Sequence, residues 1–163
     1  MSTLTSAERA SAAAFIQWCA RTYARPGMKQ ACLAAQDRGG LNVNCLLAAV
    51  WSAEQGLALT AEDWAVLRAA IAPVEEEATK PIRALRRALQ SNARLDPDLR
   101  AGLKRLLLYA ELRAEQAVEA LLHAGLRRRA RPAQVTAEAN LAAYAGSLTP
   151  EIKHFLAVLR DSE

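Results

Sequence analysis

The stretch Gly39-Gly-Leu-Asn42-Val-Asn-Cys-Leu-Leu-Ala-Ala-Val-Trp51-Ser-Ala-Glu-Gln-Gly56 decides how this chain folds. Between Val43 and Trp51 only Asn44 is polar, so the segment is apolar nearly all round at helical spacing. A helix without a polar face has nothing to turn toward water and belongs in the middle of a helical protein. Asn42 suits its start, because an Asn side-chain oxygen accepts from the free N–H groups of a first helical turn. Gly56 suits its end. The reading is a buried central helix over 43–55.

Composition agrees. Alanine occurs 37 times and leucine 24 times in 163 residues, and both favour helix. Val, Ile and Thr together number 18, few for a sheet protein. A hydrophobic content of 52% argues against disorder, and 7 Gly and 6 Pro against a collagen-like or low-complexity chain.

Working outward, Thr5 and Glu8 have the spacing of a capping box, and Ala12, Phe15, Ile16, Cys19 and Tyr23 form one helical face behind them. Arg25-Pro26-Gly27 breaks that helix, and a second runs from about Pro26 to Arg38 with Gly39-Gly40 as its left-handed cap. Beyond the central helix, Thr60 and Asp63 open another with Trp64, Leu67 and Ile71 inward. Pro73 opens a further segment with the stripe Val74, Ala78, Ile82, Leu85 and Leu89, and Pro81 must kink or divide it. Residues 91–95 read as a loop. Asp96-Pro97 starts a spine helix to Ala124, capped by Gly125 and about 40 Å long. The stretch 126–133 reads as a basic linker. Helices over 136–145 and from Pro150 follow, the last with Ile152, Phe155, Leu156 and Leu159 inward. Short connections imply antiparallel neighbours. The expectation is an all-α, single-domain helical bundle of about seven or eight helices with a long helix in its C-terminal half. Its core spans 6–125, and a smaller C-terminal segment spans 134–161.

The densest polar constellation is Gln36, Asp37, Arg38, Asn42 and Asn44 around the glycine turn. It reads first as a polar clasp between two helices, with Asn42 capping, and second as a binding corner. The run from Tyr23 through Pro26-Gly27, Ala31-Cys32-Leu33, Gln36-Asp37, Gly40-Leu41, Val43-Asn44 and Leu46-Leu47 to Trp51 resembles a family of small proteobacterial proteins classed as a domain of unknown function. The resemblance continues through Lys80-Pro-Ile-Arg-Ala-Leu-Arg-Arg87 and includes Asn140-Leu-Ala-Ala-Tyr144. It implies a cytosolic helical bacterial protein and brings no activity, cofactor or catalytic residue.

Charge is uneven. Residues 1–80 carry 7 Lys and Arg against 8 Asp and Glu, and residues 81–163 carry 14 against 9. Arg127, Arg128, Arg129 and Arg131 are the sharpest feature and the candidate phosphate contacts. They also follow a helix C-terminus, where cations are favourable, and no aromatic residue is interleaved to stack bases. Glu75-Glu-Glu77 followed by Arg83, Arg86 and Arg87 reads as a solvated helix face. Cys19, Cys32 and Cys45 form no metal-ligand pair and read as buried thiols in a reducing compartment.

Catalytic patterns are missing. Glu151-x-x-His154 has di-iron spacing, but a complete site needs a second such pair and two more Glu. Glu119 and His123 stand four apart, and both histidines read as surface or boundary residues. No nucleophile elbow or phosphate-cradling glycine loop occurs. No apolar run is long enough to span a bilayer, and no signal peptide is visible. The sequence therefore predicts a cytoplasmic, non-enzymatic interaction or regulatory protein with a protein partner, without cofactor, metal or membrane contact. The first alternative is a nucleic-acid-associated regulator using the arginine run. The second is a small-ligand binder or enzyme at the Gln36–Asn44 corner.

Overall fold

The computed structural model describes residues 5–90 and 92–161, and the chain is an all-α domain. Its helices are α1 (Ser6–Ser11), α2 (Ala13–Tyr23), α3 (Met28–Gly39), α4 (Val43–Glu54), α5 (Ala61–Val74), α6 (Lys80–Gln90), α7 (Pro97–Arg129), α8 (Ala137–Ala145) and α9 (Pro150–Asp161). Strands β1 (Leu57–Ala58) and β2 (Arg131–Pro132) form one short antiparallel pair, Leu57 opposite Pro132. This pair was not anticipated, because two residues carry no periodicity.

Local chemistry places most helix starts. Asn42 Oδ1 accepts from the Cys45 N–H at 3.1 Å. Thr60 and Asp63 form a reciprocal capping box, as do Thr5 and Glu8. Asp96 accepts from the N–H groups of Asp98 and Leu99, and Thr136 from that of Ala139. Gly40 and Gly146 take the left-handed conformation that their helix ends require.

The central helix is where the sequence puts it. Cys45 through Val50 are all buried, with α8 packed along α4. Buried Asn140 of α8 fastens the two, donating to the Leu57 and Ala49 carbonyls and accepting from the Leu59 N–H. Trp64 packs against Tyr144, their ring centroids 5.2 Å apart. Ile152, Phe155, Leu156 and Leu159 are buried, and α9 lies against α3.

Four expectations give way. Pro73 does not open a segment; it sits inside α5, and a π-helical turn at Glu75–Thr79 joins α5 to α6. That wider turn contains Glu77, the residue whose carbonyl Pro81 crowds in a regular helix, so the chain passes Pro81 without breaking. Leu85 does not face inward but is exposed. Gly125 does not end α7. A Cβ at this position would lie 2.2 Å from Leu67 Cδ2, so glycine marks the close approach of α5, and the helix runs on to Arg129. The stretch read as a linker is thus the last turn of α7 followed by β2. Finally, His123 is buried, while His154 is exposed. Of the expected loop over 91–95, Ser91 lies outside the described residues.

Candidate interaction surface

The sequence Leu99-Arg-Ala-Gly102-Leu-Lys-Arg-Leu106-Leu-Leu108-Tyr109-Ala-Glu-Leu112 has more leucine than one buried face can hold. No residue of α6 is buried, and α7 has none buried before Glu111. These two segments pair side by side as an arm, and only the far half of α7 enters the core. Seven large hydrophobic residues are exposed among the described residues, and six of them lie on the arm: Leu85, Leu99, Leu106, Leu108, Tyr109 and Leu112. Leu106 is 68% exposed and Tyr109 65%.

Leu99, Gly102, Leu106 and Tyr109 follow steps of three, four and three, so they form one line along the helix. A shallow groove of about 530 Å³ lies along this line, lined by Leu99, Gly102, Leu103 and Leu106 with Asp98 and Arg105. Gly102 is its notch: a Cβ there would meet nothing within 4 Å.

Charged residues hold the arm's base. Glu111 accepts from Arg83 Nε at 2.8 Å and from Arg86 Nε, and Arg83 Nη2 reaches Glu115 at 2.8 Å. Burial pushes the Glu111 carboxyl up, but the two guanidiniums outweigh it and hold it below its ordinary value. For Glu115, burial wins over Arg83 and raises it. The same face of α7 continues inward with Glu119 and His123. Burial, with the Glu115 charge nearby, raises Glu119 to about 7. Burial and Arg127 lower His123, whose ring lies against both Phe15 and Trp51. Among the described residues no group of three or more His, Cys, Asp or Glu is arranged to hold a metal ion.

Asn42 and Gln36 of the corner turn to different partners. Asn42 donates its backbone N–H to Tyr144 Oη at 2.8 Å and its side-chain amide to Glu75, besides capping α4. Asn44 is half-buried, and Asp37 and Arg38 are exposed. Gln36 Nε2 donates to the neighbouring Asp37 at 3.4 Å. The arginine run is largely engaged within the chain. Arg127 donates to Ser11 Oγ, Arg128 pairs with Glu8, and Arg129 Nε reaches buried Asp63 at 2.9 Å. Arg131 is exposed in β2. Burial raises all three thiols, Cys32 and Cys45 to about 12, and all are free.

The exposed leucine line was missed at the sequence level. Its signals were the surplus Leu106-Leu-Leu108 run and an unexplained glycine in mid-helix. Residues 14–122 match the protein family of unknown function DUF2390. The chain belongs to this family. The DUF2390 match spans α2 to α6 and α7 as far as Leu122, so it contains the arm and the Asn42 corner and leaves the arginine run outside. No curated protein and no solved structure matches the chain.

Proposed function

We propose that this DUF2390 protein is a non-enzymatic interaction protein of the cytoplasm that docks a protein partner through the α6–α7 arm. The observation that carries the reading is the clustering of six of the seven exposed large hydrophobic residues on that arm. Scattered surface leucines are ordinary, whereas a concentration of large apolar side chains on one arm is what an interaction site presents. Three buried, free thiols suit a reducing compartment. The nucleic-acid alternative is weaker, because Arg128 and Arg129 already face carboxylates and offer less charge to phosphate.

A photo-reactive amino acid placed at Tyr109, with a control at exposed Arg38, tests this in the cells of origin. The expected result is a discrete protein adduct at position 109 and none at 38. No adduct at position 109 overturns the reading.

A further inference from the structure

We infer that the occupant of the leucine line is a second copy of this chain, packed antiparallel along α7 about a two-fold axis beside Lys104. This rests on the arm being a docking surface and names what docks there.

The line is complementary to itself. Its steps of three and four residues are those of a coiled-coil seam. When two such seams meet antiparallel about Lys104, Leu106 of one copy lies opposite Gly102 of the other, and Tyr109 lies opposite Leu99. Symmetry repeats each pairing, giving four layers from one patch. A projecting leucine thus meets a notch in two of the layers. Glycine is unfavourable inside an exposed helix, and nothing within the chain approaches a Cβ at Gly102. A second helix passing close by supplies the missing reason for it.

Charge follows the same register. Arg113 of one copy comes to the end of the seam that carries Asp96 and Asp98 of the other, so opposite charges meet at both ends. Arg105 flanks the axis and meets its own copy, a like-charge approach. All-round burial of α7 begins near Val118, and this register puts Val118 of one copy beyond the Pro97 end of the other copy's α7.

Sedimentation velocity of the full chain over a concentration series tests the pairing. The expected result is a monomer–dimer equilibrium that Leu106→Asp and Tyr109→Asp each weaken at least tenfold, with an unchanged helical circular dichroism spectrum. Gly102→Leu has room within the chain, so it should fold normally and weaken the dimer by filling the notch. Arg105→Gln separates occupants by sign. It tightens pairing with a second copy by removing the like-charge approach, whereas it would weaken docking of an acidic partner. Mixed Gly102→Cys and Leu106→Cys chains should form a disulfide-linked dimer under mild oxidation, and mixed Leu99→Cys and Leu106→Cys chains should not. A chain that stays monomeric at about 100 μM overturns the inference. In that case an adduct at Tyr109 with a different protein would leave the arm as a docking surface, and no adduct would remove both.

Discussion

Asn42 connects three elements through three of its polar groups. Its amide oxygen caps α4, its amide nitrogen reaches Glu75 in the π-helical turn, and its backbone N–H reaches Tyr144 in α8. Truncating it removes the cap and leaves the Glu75 contact unmade. Asn42→Ala should therefore cost about 1–2 kcal/mol in urea unfolding. Asp37→Ala, at an exposed position, should stay within about 0.5 kcal/mol. Equal losses at the two sites would contradict this assignment.

Glu119 and His123 carry opposite pH dependences. The folded state holds the Glu119 proton up to about pH 7. Stability from this group is full below the unfolded carboxyl value of about 4.3 and is lost as pH rises through the folded value. His123 is lowered by burial and by Arg127. Its contribution is present above the unfolded value of about 6.5 and is lost as pH falls through the lower folded one. In the wild type these slopes oppose each other. Glu119→Gln should leave the His123 slope, so stability rises with pH toward the unfolded histidine value of about 6.5. His123→Gln should leave the falling Glu119 slope. Superimposable pH profiles of unfolding for both variants and wild type would rule this out.

At the scale of elements, α7 contains two glycines with opposite roles. Gly102 lies in open space, and Gly125 lies where Leu67 of α5 passes. Both pay the same backbone penalty, so alanine separates propensity from packing. Gly102→Ala should raise the stability of the monomer by about 1 kcal/mol. Gly125→Ala should lower it by about 1–3 kcal/mol, since Leu67 is fully buried and has little room to move. Leu67→Ala added to Gly125→Ala should recover part of the Gly125→Ala loss, measured as a double-mutant cycle. The continuous passage from α5 through the π-helical turn into α6 has a similar logic. Pro81, which looks like a break in sequence, is absorbed by the widened turn before it, while Pro73 sits inside α5.

Across the whole molecule, the arginines that end α7 fasten it to distant parts of the chain. Arg127 and Arg128 reach Ser11 and Glu8 of α1, and Arg129 reaches Asp63 of α5. Asp63 also serves the Thr60 cap, and burial works against its charge while these partners hold its carboxyl below the ordinary value. Arg129→Ala should lower stability by about 1 kcal/mol, and Arg131→Ala should change it by less than about 0.5 kcal/mol in the same denaturation assay. A stability loss at Arg131 equal to that at Arg129 would refute the assignment of structural work to the helix end alone.

The order of helices, most of their starts and the burial of 45–50 were legible in the sequence. Caps, glycine turns and apolar periodicity act within a few residues of chain, and the sequence displays those distances directly. The Asn42 cap was legible for that reason, while its bonds to Glu75 and Tyr144 were not, since they join positions 33 and 102 residues away. The leucine line on the arm was illegible for a related reason. Leucine at helical spacing looks the same whether or not another helix covers it. Gly125 likewise looks like a stop until Leu67 is seen beside it. Local physics determined where helices form. Only the tertiary structure decided which apolar faces are covered, which charges are paired and which histidine leaves water, because each depends on what the rest of the chain brings alongside.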